Sequence, residues 1–133
     1  MSPKEAILVI DDEAILLLAL RQELKLAFGP LFAFESAMNA PDAIAAIERL
    51  GKQGTSIRLI ICDWLMPGMH GDELLRIVHA DYPAIKLVLL SGHAEDPQMA
   101  ALAEDVGLFA YLRKPYRRTE LIDLVRKAIA ADR

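Results

Sequence analysis

Short apolar segments alternate along the chain with longer segments of helical periodicity. The short segments are rich in Ile, Leu and Val, as the buried strands of parallel sheets are. They predict strands at 6–10, 31–37, 57–62, 85–90 and 108–112. Between them, apolar residues spaced three and four apart predict helices at 14–28, 41–50, 72–80, 97–106 and 120–130. This alternation is typical of an α/β fold with a parallel sheet covered by helices on both faces.

Polar residues follow four of these predicted strands directly. Asp11 and Asp12 follow the first strand, Asp63 the third, Ser91 the fourth and Lys114 the fifth. In an open parallel sheet the ligand crevice lies beyond the carboxyl ends of the strands, so these side chains are expected to converge. Each one alone has a simpler interpretation, as a helix cap, a turn residue or a solvated loop residue. Their joint placement favours a site.

Three carboxylates close together repel one another, so a bound cation is expected to neutralise their charge. An all-oxygen ligand set suits Mg²⁺, which keeps several waters and accepts phosphate oxygens, and Mn²⁺ would suit it too. A carboxylate beside Mg²⁺ and a lysine can act as a nucleophile toward phosphorus. The Ser91 hydroxyl could then donate a hydrogen bond to a phosphoryl oxygen.

Composition limits the remaining function classes. With 133 residues, 54% of them hydrophobic and 26% charged, the chain is expected to form a single domain over 1–133 with no effector domain. Its net charge of −4 weakens any case for direct nucleic-acid binding. The single cysteine, Cys62, excludes an internal disulfide. No segment reads as a signal peptide or a membrane span, so a cytoplasmic protein is expected.

Four motifs occur in order on the predicted elements. They are Ile-Leu-Val-Ile-Asp-Asp-Glu at 7–13, Asp-Trp-Leu-Met-Pro-Gly-Met-His-Gly at 63–71, Leu-Leu-Ser-Gly at 89–92 and Tyr-Leu-Arg-Lys-Pro at 111–115. With them the chain resembles the receiver (CheY-like) domain of two-component response regulators over essentially its whole length. The resemblance implies a flavodoxin-like (βα)5 three-layer sandwich with a five-stranded parallel sheet of order 2-1-3-4-5.

The resemblance also implies the roles of the site residues. Asp63 would accept a phosphoryl group from the phosphohistidine of a histidine kinase or histidine phosphotransfer protein. Mg²⁺ would be held by Asp11, Asp12, Asp63 and the backbone carbonyl of Leu65. Lys114 would pair with the phosphoryl oxygens. The domain would thus be a signalling module and not an enzyme, catalysing only its own phosphorylation and dephosphorylation.

Two further residues match the switch positions of the family. Phosphorylation would draw the Ser91 hydroxyl inward, and the Tyr111 ring would rotate into the space that it leaves. A half-buried strand aromatic is the simpler interpretation of Tyr111. The altered surface would meet a downstream protein target or an effector domain missing from this chain. A phosphorylation-dependent homodimer is left open.

Three alternative functions fit the sequence less well. A flavodoxin-type cofactor binder would need Ser, Thr and Gly donors after the first strand, where this chain has Asp11, Asp12 and Glu13. An aspartate-nucleophile phosphatase usually carries a second Asp two positions after the nucleophile, where this chain has Leu65. A degenerate receiver that only docks partners is disfavoured because every reactive position is filled.

The sequence also supports predictions for residues next to the predicted site. Cys62 is predicted to be a packed core thiol, and Met66 to pack locally. Trp64 is expected to be an exposed ring or to shape partner docking. His93 is expected either to donate a hydrogen bond near the site or to be a solvated loop residue. A cis Lys114–Pro115 bond is hypothesised to aim the lysine back at the carboxylates.

Overall fold

Strands and helices alternate strictly in the computed structural model, which describes residues 3–64, 66, 68–92 and 97–131. The strands in these ranges are β1 (Glu5–Ile10), β2 (Ala33–Ala37), β3 (Ser56–Asp63), β4 (Lys86–Ser91) and β5 (Ala110–Arg113). The helices are α1 (Ala14–Phe28), α2 (Ala40–Lys52), α3 (Gly71–Asp81), α4 (Pro97–Val106) and α5 (Arg118–Ala130).

The strands form one parallel sheet in the order β2-β1-β3-β4-β5. The central strands β1, β3 and β4 are apolar on both faces because helices cover both sides, as a parallel sheet requires. The predicted fold class and strand order are confirmed.

Each face of the sheet carries its own apolar layer. On one face, Ile7, Val9, Leu59 and Ile61 pack against α1 and α5. On the other face, alternate strand residues such as Leu8 pack against α2, α3 and α4. Because strand side chains alternate between faces, helices cover the central strands on both sides, and the strand ends and the edge strands β2 and β5 are more open.

Arg58 is a charged residue within β3, and the structure shows what accommodates it. The register between β1 and β3 shifts after Ala6, which leaves Arg58 without a cross-strand partner in β1. Its guanidinium binds both carboxylate oxygens of Glu5 at 3.2 Å and the carbonyl oxygen of Ile129 at 2.6 Å. The side chain thus links the starts of two strands to the end of α5.

Some predicted boundaries differ from the observed ones. Asn39 caps α2, since its Oδ1 accepts a hydrogen bond from the Asp42 amide at 2.8 Å. Helix α5 begins at Arg118, two residues before its predicted start, so Thr119 lies within the helix and does not cap it. There the Glu120 carboxylate accepts a hydrogen bond from the Arg117 amide at 3.0 Å, so an acidic residue inside the helix satisfies the first turn.

The residues on both sides of Asp63 are buried. The expectation of an exposed Trp64 is wrong, since only 5% of it is accessible and it packs in the layer beneath α2, α3 and α4. The predictions for Cys62 and Met66 are confirmed, because both are buried in the same layer. None of the helices in the described ranges is both long and apolar enough to span a bilayer.

Candidate functional site

Three carboxylates meet where β1 and β3 end side by side. Ile10 is paired with Cys62 in the sheet, so Asp11 and Asp63 leave neighbouring strands at the same level. One carboxylate oxygen from each of Asp11, Asp12 and Asp63 lies within 4.8 Å of the others. Asp11 is fully buried and Asp63 is 6% accessible, whereas Asp12 is more exposed. The convergence predicted from the strand ends is therefore present.

Asp11 is only partly satisfied by hydrogen bonds. Its Oδ1 accepts a hydrogen bond from the Glu13 amide at 2.9 Å, and its own amide donates to the Ala37 carbonyl at 3.1 Å. Within the described part of the chain, its buried Oδ2 has no hydrogen-bond partner. The pKa of Asp11 is raised to about 6, mainly by burial and also by the negative charge of Asp63, against the lowering effect of the Glu13 hydrogen bond. Among the described residues, no basic side chain forms an ion pair with this carboxylate.

Lys114 brings an ammonium group to the same place from β5. Its Nζ lies 2.8 Å from Asp63 Oδ1, and its amide donates to the Ser91 carbonyl at 2.8 Å. The Lys114–Pro115 bond is cis, as hypothesised. Burial alone would lower the pKa of Lys114, but its hydrogen bond and charge attraction with Asp63 outweigh burial, and the pKa is raised. The lysine is thus a permanent cation in contact with Asp63.

The backbone after β3 is tied down on both sides. The Trp64 amide donates to the Leu90 carbonyl at 3.0 Å, and the Gly71 amide donates to the Trp64 carbonyl at 2.8 Å. Any Cβ at Gly71 would overlap the carbonyl oxygen of Asp63, so only glycine fits at the first residue of α3. The sequence reasoning gave Gly71 no role, although the glycine three residues after Gly68 was a usable signal for close backbone approach.

Comparison with known proteins identifies the arrangement. Residues 7–126 match the family described as response regulator receiver domain. This chain belongs to that family. Solved receiver domains share its fold: one from Clostridium thermocellum is 30% identical with a TM-score of 0.78, and the match covers 94% of each chain. A CheY-like receiver domain protein from Methanospirillum hungatei is 28% identical with a TM-score of 0.80, and the match covers 95% of this chain and 93% of the other.

Curated relatives of this receiver domain are longer proteins. The hydrogenase transcriptional regulatory protein HoxA of Cupriavidus necator is 34% identical over 132 residues, which are 98% of this chain and 26% of that protein. The transcriptional regulatory protein FixJ of Bradyrhizobium diazoefficiens is 30% identical, over 97% of this chain and 58% of that protein. The receiver therefore spans about a quarter of the length of HoxA and about three fifths of the length of FixJ.

Two further predicted site residues lie on β4 and β5. Ser91 ends β4 and is buried, and its carbonyl is held by the Lys114 amide. Tyr111 lies in β5 next to Leu89 of β4, with 48% of its surface accessible. Leu65, whose carbonyl was expected to bind the metal, lies outside the described residues, as does His93.

The donor set of this receiver fits a hard divalent cation. Its side-chain ligands are carboxylate oxygens, which Mg²⁺ and Mn²⁺ prefer, and they include the buried Oδ2 of Asp11 that has no partner among the described residues. One ammonium cannot balance three carboxylates, so a second cation is favoured electrostatically. Asp11, Asp12 and Asp63 would hold it.

Proposed function

We propose that this receiver domain accepts a phosphoryl group on Asp63 from the phosphohistidine of a histidine kinase or histidine phosphotransfer protein. The Asp63 carboxylate forms a bond to phosphorus, and the bond between phosphorus and the histidine nitrogen breaks, which releases the donor histidine. The observation that carries this proposal is the pairing of Asp63 with Lys114 inside a group of three carboxylates. Family membership supports it.

The chain's own residues supply most of what the transfer needs. Asp63 is largely buried, so few waters compete with the donor for the carboxylate. Lys114 can neutralise charge on the transferring oxygens, since its raised pKa keeps it protonated. Bound Mg²⁺ would add Lewis-acid charge stabilisation at the same oxygens. Asp11 and Asp12 bind that ion in this proposal, and the Leu65 carbonyl is its expected backbone ligand.

The switch is proposed to run from the phosphoryl group to β5. Ser91 and Lys114 are joined through the backbone hydrogen bond between them, so a change at either one reaches both strand ends. Tyr111 is half-exposed on the edge strand, where a ring has room to change its position. The surface that results would be read by a downstream protein or by an effector domain joined to the receiver. We place this reaction in the cytoplasm, where the ATP that charges such donors is available.

The first prediction concerns the acceptor. Incubation with acetyl phosphate and Mg²⁺ should add the mass of one phosphoryl group to the intact protein, and Asp63→Asn should abolish that addition because an amide is not a nucleophile here. Asp81→Asn, at the exposed end of α3, is the matched control and should label like the wild type. If Asp63→Asn still labels stoichiometrically, the acceptor is another residue.

The second prediction concerns the metal. Mg²⁺ should raise the melting temperature because it binds the carboxylates of the folded protein and not the unfolded chain. At a Mg²⁺ concentration ten times the dissociation constant of the site, the free energy of unfolding should rise by about 1.4 kcal/mol. Asp12→Ala should remove most of this effect, and Asp81→Ala should leave it intact. Thermal unfolding with millimolar MgCl₂ or with EDTA measures it. Equal Mg²⁺ stabilisation of the wild type and Asp12→Ala would contradict the ligand assignment.

A further inference from the structure

A groove of about 450 Å³ lies between α1 and β2, away from the carboxylates. Its lining includes Pro3 before β1 and Phe32 before β2, so it opens at the amino end of the sheet, whereas Asp63 lies at the carboxyl end. Apolar side chains form much of its surface, notably Leu18 and Phe34. Its volume is within the range of ordinary binding sites.

Two cationic side chains line this groove, and both come from α1. Arg21 and Lys25 are four residues apart on α1 and therefore share one face of the helix. In the described part of the chain neither side chain forms an ion pair, and the described lining of the groove contains no acidic residue. Like charges at this spacing destabilise a helix, so an anionic partner would relieve a repulsion that already exists.

The groove also runs beside an open edge of the sheet. Among the described strands β2 pairs only with β1, so its outer edge presents unpaired backbone groups from Ala33 to Ala37. Such an edge is a template for one more strand, and alternate side chains of an added strand would point into the space between β2 and α1. An open strand edge, apolar side chains and two cationic side chains thus lie next to one another.

We propose that this groove binds an extended acidic segment of a partner protein by strand addition to β2. Apolar side chains of the segment contact Leu18 and Phe34, and its carboxylates pair with Arg21 and Lys25. A second copy of this chain is a poorer occupant, because joining two β2 edges brings these cations toward their own copies. Nucleic acid is disfavoured by the net charge of −4 and by the apolar lining.

The test follows the amide spectrum of the ¹⁵N-labelled protein during titration with the capped heptapeptide Glu-Thr-Val-Thr-Val-Thr-Glu. Its odd-numbered residues share one face of an extended strand, so that face brings both valine and glutamate to the groove. Saturable shifts are expected at Arg21, Lys25 and β2, and not around Asp63. The double variant Arg21→Glu, Lys25→Glu should bind about ten-fold more weakly or worse, because each lost charge pair costs binding free energy. The matched control is Lys52→Glu, Lys127→Glu, which changes the net charge equally on α2 and α5 and should bind like the wild type.

Control ligands separate this proposal from its rivals. A peptide with lysine in place of glutamate, and one with serine in place of valine, should both bind much more weakly. The proposal is overturned if the acidic peptide gives no shifts at millimolar concentration, or if the serine peptide binds equally, which would leave a simple anion site. It is also overturned if a single-stranded oligonucleotide shifts the same amides more strongly. Shifts that depend on protein concentration without peptide would point to self-association instead.

Discussion

The carboxylate of Asp11 is buried, close to two other carboxylates, and half satisfied by hydrogen bonds. Its pKa is raised to about 6, first by burial and then by the charge of Asp63, so the folded protein binds this proton more tightly than the unfolded chain does. Stability from this group is present at low pH and is lost as pH rises from the unfolded value of 3.8 to about 6. A bound cation would remove that cost at neutral pH.

The third prediction therefore concerns Asp11→Asn. Without metal at pH 7.5 this variant should be more stable than the wild type by up to about 3 kcal/mol, since the ionised group is gone. At pH 4 the two proteins should differ little. Urea unfolding in EDTA across this pH range measures the difference. With saturating Mg²⁺ the order should reverse, and a wild-type advantage in EDTA at pH 7.5 would contradict the interpretation.

For single residues, the sequence predicts the positions of those side chains that follow the ends of strands. Asp11, Asp63 and Lys114 could be placed together from the sequence because parallel strands deliver their carboxyl ends to one edge of a sheet. The burial of Trp64 could not, because it depends on packing against residues that are distant in the sequence. The half-satisfied state of Asp11 likewise follows from packing and not from its neighbours in the sequence.

At the scale of elements, boundaries were predictable where glycine or proline marks them. The helices at 14–28 and 97–106 have their predicted limits, and each has such residues at its ends, Gly29 after the first and Pro97 and Gly107 around the second. The start of β2 was placed two residues too early because Leu31 and Phe32 are apolar but precede the ladder. An apolar residue need not belong to a strand: Phe32 is buried before the ladder begins, and Leu31 is exposed.

The first residue of α3 lies against the backbone of Asp63 and Trp64. The amide of Gly71 donates to the Trp64 carbonyl, and its α-carbon lies where a side chain would meet the Asp63 carbonyl. The helix can begin this close to β3 only because that residue has no Cβ. The position of the acceptor backbone and the start of α3 are therefore coupled.

The fourth prediction compares two glycines in helices. Gly71→Ala should destabilise the fold by about 1–3 kcal/mol, as overpacking does, and should shift the amide resonances of Asp63 and Trp64. Gly51→Ala in α2 is the control, since a Cβ there meets nothing within 4 Å, and it should stabilise by about 0.5–1 kcal/mol. Chemical unfolding measures both. Equal stability changes in the two variants would mean that Gly71 is not tightly packed.

Across the whole molecule, the two ends of the strands have different chemistry. The carboxyl ends bring together Asp11, Asp12, Asp63 and Lys114. The amino ends hold the ion pair of Arg58 with Glu5 and the groove beside β2. A ligand at one end of the sheet therefore leaves the other end accessible. The strand order could be predicted from the motifs as a set, but the groove could not, because it depends on where α1 lies relative to the edge strand.

Lys114 connects the acceptor to the far side of the sheet. Its ammonium contacts Asp63, and its amide holds the carbonyl of Ser91 at the end of β4, whose neighbour across the sheet is β5. Beryllofluoride, which stands in for the phosphoryl group on an aspartate, should therefore change the amide spectrum near Asp63, Ser91 and Tyr111 together. Losing the ammonium should weaken that joint response without unfolding the protein, because the lysine lies at the surface end of its strand.

The fifth prediction is that Lys114→Ala binds beryllofluoride about ten-fold to a hundred-fold more weakly, since a charge-assisted hydrogen bond contributes about 1.5–3 kcal/mol. The Tyr111 amide should then stay near its resting position at concentrations that saturate the wild type. Lys114→Arg should rescue only in part, because a planar guanidinium cannot take the place of a compact ammonium. The matched control is Arg118→Ala, an exposed cation at the start of α5, which should respond like the wild type. If Lys114→Ala responds normally and Arg118→Ala does not, the cation that serves the phosphoryl group is on α5, and the hydrogen bond between Lys114 and Asp63 is only a resting-state contact.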